Sequence, residues 1–583
     1  MFELYYKKNN NSALFKELGE NKLRKIQNYI PIYKKFFNLQ ENNYQSINLN
    51  QPFHITSVEK TDKNNVYKCV VESKTRRENV EAFFKFSPLL DPIKFMVGNY
   101  NIDYDVKTSL PNLLDNTCHK KVIDPNNAAY VDGFFTYLTS NLLHNYKFPH
   151  GVDFYGSFLA IQDNFKLNIF DDLEYLNDSQ YFHKHKGELF EINSLDEDII
   201  FDADTRNYKR KIKIHNNISN KDVSSIKSED FEDVFMNEPL KPQSQTIPKL
   251  TESLIFEHNA FYDNSGCECN NNECKKNSTK HACSTCSSRS SHTSNEDTLT
   301  NSSDIDDEVE NQTNKSEGDV STDDISQICE SDIVCEALIK DFPVQVICLE
   351  NIENTLDSLI EKDISTDEWR SCLFQIIMTL ITYQKMFNFT HNDLHTNNVM
   401  FNKTDKKFLI YKYNGTYYKV PTYGRLFKII DFGRAIYKFK NRTICSDSFH
   451  PKGDAATQYN FEPYFNKNKP RLEPNTSFDL CRLACSLYDY FMDDVEDVKT
   501  CGDPIAELIS IWCTDDKGRN ILYKKCGEER YPEFKLYKMI ARTVHNHIPQ
   551  SQVNTRFFKQ YKSSRKKIGK RRVIDIDSLP SYA

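Results

Sequence analysis

Glycine is scarce in this chain, 16 among 583 residues, well under half the usual ~7%. Between Phe53 and Val66 there is none, so that stretch has no residue that can take φ > 0 freely or press its backbone against a ligand. Alanine is also sparse, while Asn, Lys, Ile, Tyr and Phe abound, a bias that suggests an A+T-rich coding genome and no particular activity. No apolar run approaches ~18 residues, which excludes an ordinary membrane-spanning helix. The opening MFELYYKKNNN lacks the pattern of a secretory signal. The 17 cysteines are odd in number and spread through core-like segments, which argues for reduced thiols over a disulfide framework. A cytoplasmic or nuclear protein is expected. Nor is there a strong excess of one charge: the net value of -8 says little about partners, whereas its distribution says more.

The length allows roughly two to four domains. Residues 1–50 read as an extension, with helical apolar spacing over Ala13–Leu39 broken at Pro31. Residues 51–194 carry strand patterns: VYKCVVES from Val66, VEAFFKF from Val80, and a turn and strand over Phe148–Ile161. Asn126–Leu143 fits a helix, with Gly133 an unfavourable residue inside it. Residues 195–336 are too poor in apolar groups to offset ordering entropy and read as a disordered insertion, dispensable for folding. Ser294–Glu336 holds 14 acidic residues against Lys315 alone. Before it, Cys267, Cys269, Cys274, Cys283 and Cys286, with His281 and His292, would suit zinc by thiolate count. Their spacing matches no usual pair of knuckles, so incidental loop cysteines are the competing reading.

Residues 337–548 recover apolar density. A buried strand is expected at Val344–Leu349, and Ser365 with Glu368 forms a capping box for a helix apolar nearly all round. Phe408–Val420 is a hairpin turning at Asn414-Gly415, and Phe478–Phe491 is a strongly apolar helix. Residues 549–583 form a basic tail: Arg556–Arg572 has nine basic residues and no acid. It reads either as an import or nucleic-acid contact or as a solvated terminus.

Two stretches carry chemistry. Thr390–Met400 reads THNDLHTNNVM, and Phe427–Ala435 reads FKIIDFGRA. Phosphoryl transfer from ATP needs a carboxylate to orient the acceptor hydroxyl, and an Asn and an Asp to hold magnesium on the phosphates. H-x-D-x-x-x-x-N followed by D-F-G supplies those groups, and the pair resembles the protein-kinase superfamily. The resemblance implies an α+β, bilobal fold with a small β-rich lobe, a large helical lobe and the long insertion in the small one, and it implies ATP and Mg2+. Asp393 would orient and accept the proton of the attacking hydroxyl, and Asn398 and Asp431 would hold magnesium. Lys85 would be the strand lysine that positions the phosphates, with Asp132 as its acid partner. Glu350 to Ile352 would contact adenine, and Asp479 would tie down the H-x-D backbone.

Three departures refine the expectation. The phosphate-covering loop has no glycine, no A-P-E follows D-F-G (Phe461-Glu462-Pro463 is the nearest sequence), and Asn392 replaces the arginine that docks a phosphorylated loop in many kinases. Thr443, Ser446, Ser448 and Tyr459 are the hydroxyls of that loop, and without the arginine no phosphate switch is expected there. His395 stands where serine/threonine kinases usually carry Lys; D-L-H-x-x-N is seen in haspin-like protein kinases and in choline or aminoglycoside kinases. The coding bias, divergent loop and insertions are similar to serine/threonine kinases of giant DNA viruses, which would place the protein in a host cell or virion. A protein substrate and no membrane partner follow. Two alternatives stay open: a small-molecule kinase of the choline or aminoglycoside type, and a pseudokinase scaffold acting through the acidic insertion and basic tail.

Overall fold

In the computed structural model the amphipathic stretch Ala13–Leu39 does not form one helix. Helix α1 (Ser12–Glu20) buries Leu14 and Leu18, the chain passes through Lys22 at φ +65°, and strand β1 (Leu23–Gln27) follows. A short 3-10 turn at Pro31–Lys35 completes the segment. Strand geometry prevails over helical spacing because β1 pairs with the edge of a long strand, Phe154–Asn168, whose backbone N–H and C=O groups need partners. The structure describes residues 4–583 except 5, 10, 21, 50–52, 101, 115–116, 194–334, 361, 363 and 493–501. The cysteine cluster and nearly all of the acidic stretch lie outside the described residues.

The protein is a mixed α+β structure. Strands β2 (His54–Lys60), β3 (Val66–Glu72) and β4 (Arg77–Pro88) run as a meander. Helix α2 (Ala128–Asn145) leads to β5 (Phe154–Asn168) and β6 (Phe190–Asn193). β7 (Glu336–Glu350) completes an antiparallel sheet ordered β1-β5-β7-β4-β3-β2, with β6 also on β7. β7 is longer than the buried run Val344–Leu349 because its first residues pair with both β5 and β6. Helix α2 runs unbroken through Gly133, and the glycine has a packing reason to sit there. A Cβ there would sit 2.4 Å from the side-chain amide nitrogen of the buried Gln345 on β7, so any larger residue would have to displace that side chain from its bond to Ser157.

The second half of the chain mixes helices with short sheets. The Ser365–Glu368 capping box is formed, and helix α3 (Thr366–Phe387) ends at Asn388 in the left-handed conformation, which turns the chain toward Thr390. Strand β8 (Val399–Lys403) precedes the hairpin β9 (Phe408–Tyr413) and β10 (Thr416–Pro421). Asn414 and Gly415 both have positive φ at its turn, as a type I′ turn demands. β11 (Arg425–Ile429) returns beside β8, and β12 (Ile436–Phe439) and β13 (Arg442–Cys445) form a short pair. Helices α4 (Phe478–Phe491), α5 (Pro504–Trp512) and α6 (Lys535–Thr543) follow.

The basic run is not a loose arm. β14 (Lys562–Ser563) pairs with β10 and β15 (Ile574–Asp575) with β9, giving a four-stranded sheet. Phe558, Ile568 and Ile576 are each 0% exposed, and burying such a side chain contributes roughly 1.5–3 kcal/mol. Charge alone had suggested a solvated terminus; the apolar residues between the charges anchor it, while the nine basic side chains stay on the surface. No helix among the described residues is long and apolar enough to cross a membrane.

Candidate active site

The core delivers the two motifs to one place. Phe432 of the D-F-G is fully buried. It packs edge-on against Phe135 of α2 at 4.7 Å and near Phe389, which stacks on Phe135 at 4.4 Å. One aromatic cluster thus joins α2, the chain leaving α3 and the D-F-G turn. Thr390 exchanges backbone hydrogen bonds with Ile436 (2.9 and 3.0 Å), and His391 Nε2 meets the Ile430 carbonyl at 2.9 Å. Asp479, in the first turn of α4, accepts from the backbone N–H of His391 (2.9 Å) and Asn392 (2.9 Å), the tie-down expected of it.

Lys85 projects from β4 to Asp132 on α2 (2.6 Å) and to Asp431 (2.9 Å). Burial works against the Lys85 charge, but the two carboxylates more than restore it and raise its pKa. Asp132 is 3% exposed, and its other oxygen accepts from the Phe432 N–H at 2.8 Å. One aspartate therefore fixes both the lysine and the D-F-G backbone. Burial raises the Asp132 carboxyl, whereas at Asp431 the pull of Lys85 overcomes burial and lowers the carboxyl to about 2.

Asp393 is 2% exposed. Its Oδ1 accepts from the Tyr537 hydroxyl on α6 at 2.8 Å, and that hydroxyl accepts from Arg482 Nε at 2.9 Å. Its Oδ2 faces Arg434 Nη1 at 3.8 Å. Burial alone would raise its pKa, but the Arg434 and Arg482 charges hold it below the ordinary value, so Asp393 is ionised. Asn398 lies five residues on, in a 3-10 turn. Its Nδ2 donates to the Asp393 carbonyl (2.9 Å) and to His395 Nε2 (3.0 Å), and its carbonyl accepts from the Ile430 N–H (3.0 Å). Burial lowers His395 to about 4, so the neutral ring accepts that bond and turns the Asn398 amide with its oxygen away. A cleft of about 1030 Å³ is lined by Lys85, Asp132, Asp393, Asp431 and Arg434.

Glu350 and Ile352 stand apart from this group. Glu350 ends β7 with its carboxylate spent on Lys428, the Asp153 N–H (2.8 Å) and Asn402 (3.0 Å). Ile352 is 9% exposed, and neither residue lines the cleft. Of the hydroxyls after D-F-G, Thr443 is exposed and Ser446 and Ser448 are buried. Tyr459 donates to Asn392 Oδ1 at 2.7 Å, while Asn392 Nδ2 reaches the Arg434 carbonyl at 3.0 Å. The amide that replaces an arginine thus fastens this segment directly. Glu462, in the stretch nearest to A-P-E, pairs with Arg471 at the surface (2.6 Å).

Sequence reasoning missed three residues here. Asp447 accepts from the Ala128 N–H at the start of α2 (2.9 Å) and pairs with Lys121; it stood between two serines that drew the attention. Arg434 adjoins the D-F-G in plain view. Tyr537 had no signal at all, because only the fold brings α6 to the H-x-D loop.

No family model matches the chain. It is similar to the serine/threonine-protein kinase haspin of Mus musculus, 31% identical over 133 residues, covering 22% of this chain and 16% of that protein. The haspin of Bos taurus gives the same identity and coverage. A protein of Dictyostelium discoideum named "Probable serine/threonine-protein kinase" is 31% identical over 120 residues, 18% of this chain and 10% of that one. The chain spans 16% or less of the length of these curated relatives. These partial likenesses support a protein-kinase-like family.

Proposed function

We propose that this protein is a divergent serine/threonine protein kinase that transfers the γ-phosphoryl group of ATP to protein hydroxyls. The observation that carries the reading is the convergence of Lys85, Asp132, Asp393 and Asp431 on one cleft. In this reading the acceptor oxygen bonds to the γ-phosphorus while the bond to the β–γ bridging oxygen breaks. ADP leaves with that electron pair, and the hydroxyl proton passes to Asp393. Lys85, held charged by two carboxylates, would position the phosphates. Phe432 and Asp132 keep the D-F-G in the conformation that turns Asp431 to the cleft.

Magnesium is tested by the donor set. Asn398 and Asp431 offer one amide oxygen and one carboxylate, and magnesium is commonly held by one or two protein oxygens, with phosphate and water completing six. Asn398 fits because its Nδ2 is taken and its oxygen is turned away from those partners; Asp431 fits because it is ionised and partly exposed. Bound there, the ion would neutralise charge developing on the phosphates.

Residues 51–194 and residues 337–548 would be the two lobes, with residues 195–336 as an insertion in the first. Adenine contact through the backbone of Glu350 to Ile352 belongs to the same reading, as does a virus-type origin.

The test is the purified full chain with labelled ATP, magnesium, a mixed protein-peptide panel and small-molecule acceptors such as choline and aminoglycosides. Label should appear on Ser or Thr and fall by about 10²–10⁴-fold in Asp393→Asn, the range of a general base. Label on the small molecules alone would replace this reading with the small-molecule one. ATP-dependent thermal stabilisation with no turnover would leave a pseudokinase. Asp431→Ala should abolish the magnesium-dependent part of that stabilisation.

A further inference from the structure

We infer that Arg434 is a further catalytic residue, whose guanidinium stabilises the charge on the phosphoryl group as it passes to the acceptor beside Asp393. The inference rests on the protein-kinase reading and adds a group to it.

It begins from the charges around the cleft. Phosphoryl transfer spreads negative charge over the equatorial oxygens, and the protein's main means of lowering the barrier is fixed positive charge nearby. Lys85 is shared between Asp132 and Asp431, and Lys121 is committed to Asp447. Lys63 and Lys166 pair with Glu81 and Glu336 on the exposed sheet. Within the H-x-D loop His395 cannot help: it is buried and bonded to Asn398, and it does not line the cleft. Arg434 does line the cleft, and its Nη1 lies 3.8 Å from Asp393 Oδ2. That is too long for a hydrogen bond, so the pair leaves N–H donors beside the oxygen that would take the acceptor proton.

The guanidinium is also held in place before any substrate arrives. Its side chain is 8% exposed, and Nη2 reaches Asp454 at 3.2 Å. The rings of Tyr537 and Phe534 lie beneath it at 5.5 and 5.9 Å, and Asn392 grips its carbonyl at 3.0 Å. A buried charge needs such partners to be tolerated. Rigid placement is also what lets a dipole or ion act without reorganising during reaction.

The competing explanation is that Arg434 only clamps Asp393. A double-mutant cycle separates the two, since a residue acting through another loses its effect when that other is removed. The rates to measure are those of wild type, Arg434→Gln, Arg434→Lys, Asp393→Asn and Asp393→Asn/Arg434→Gln, at saturating magnesium-ATP. We expect Arg434→Gln to lower kcat by about 10²-fold, as for loss of one preorganised donor, with KM for ATP little changed and a lower melting temperature, since Asp393 and Asp454 lose a buried partner. Arg434→Lys should recover part of the loss, and free guanidinium should partly rescue Arg434→Gln. The loss should persist in the Asp393→Asn background. A kcat within about threefold of wild type overturns the inference alone, as does a loss that vanishes without Asp393. If Arg434→Gln fails to fold, Arg434→Lys decides by the same criteria. A wild-type chain that turns over no acceptor removes the kinase reading and this inference together.

Discussion

Two loops border the same cleft, and they are built in opposite ways. The turn Thr61–Asn65 between β2 and β3 is exposed from Asp62 onward. It is held by the Thr61 hydroxyl, by the Asn65 carbonyl accepting from Phe84 (2.8 Å), and by a surface pair of Lys63 with Glu81. The segment from Arg434 to Tyr459 is buried at Arg434, Asp447, Ser448 and Tyr459, and its charges are tied to Asp393, Lys121 and the start of α2. A loop that approaches phosphate through its backbone needs glycine, and the turn has none. A loop that acts through side chains needs carboxylates, guanidinium and amide groups in fixed places, and the second segment has them. In the proposed kinase reading, catalysis would be specified from the side-chain-rich segment, with the turn contributing shape more than grip.

The sharpest way to break that comparison is to remove the residue joining the buried segment to the sheet. Asp132→Ala deprives Lys85 of one partner and the Phe432 N–H of its acceptor. Removing one member of a buried pair costs about 3–5 kcal/mol, so turnover should fall by at least about 10²-fold and the melting temperature should drop. Kinetics and thermal melts check both. An effect under tenfold would mean that α2 is not the link.

Much of this was legible because residue identity and chemistry coincide. H-x-D, D-F-G and Asp479 could be read because side chains alone do their work, and Asn414-Gly415 because few other pairs accept two positive φ values in succession. Asp132 was found from its place in a helix pattern, although one carbon shorter than the usual glutamate; the short Lys85 contact shows that the geometry accepts it. The losses have physical reasons too. β1 was hidden because its apolar spacing also satisfies a helix until an edge strand offers hydrogen bonds. The C-terminal run was hidden because its nine charges outweigh Phe558 and Ile568 in any local reading. Tyr537 acts on Asp393 across the fold, which no spacing records.

Acidification tests the core beneath the site instead, through a buried histidine outside both loops. His150 is 0% exposed, between the Phe427 carbonyl (2.6 Å) and the Tyr411 hydroxyl (2.7 Å), and burial lowers it to about 4. Unfolded, it titrates near ~6.5. Between these values the unfolded chain binds a proton that the folded chain refuses, so stability is full above pH ~6.5, falls as pH drops, and levels off below the folded value. The loss amounts to at most about 3 kcal/mol. Denaturant melts at pH 7 and pH 4.5 should show a larger difference in wild type than in His150→Gln. Equal differences would contradict it.

A smaller effect is expected at the carboxylate after D-F-G. Asp447 caps α2 and pairs with Lys121, so a fixed acid already joins this segment to the helix carrying Asp132. Asp447→Ala should lower turnover about tenfold, roughly 1.4 kcal/mol in barrier terms. Phosphatase treatment and Thr443→Ala should change nothing, since Ser446 and Ser448 are buried and no arginine replaces Asn392 to capture a phosphate. A tenfold fall on phosphatase treatment would show that a modified hydroxyl, not Asp447, holds the loop.

The smallest effect is expected at the turn itself, and it tests the comparison most directly. Lys63 is exposed, and its pair with Glu81 is of the kind worth ~0–1 kcal/mol. Asn65 already sits at φ +57°, so the turn reaches the conformation it needs without glycine. Changing Lys63 and Asn64 to glycine would remove one charge and free the backbone, which glycine could press closer to phosphates at some cost in chain entropy. If the turn contributes shape alone, KM for ATP should move by less than about threefold, under ~0.7 kcal/mol, and kcat should hold. A tenfold rise in KM would mean that Lys63 grips the phosphates by its side chain. A tenfold fall would mean that the missing glycines cost affinity. Either result would put the turn on an equal footing with the segment after D-F-G.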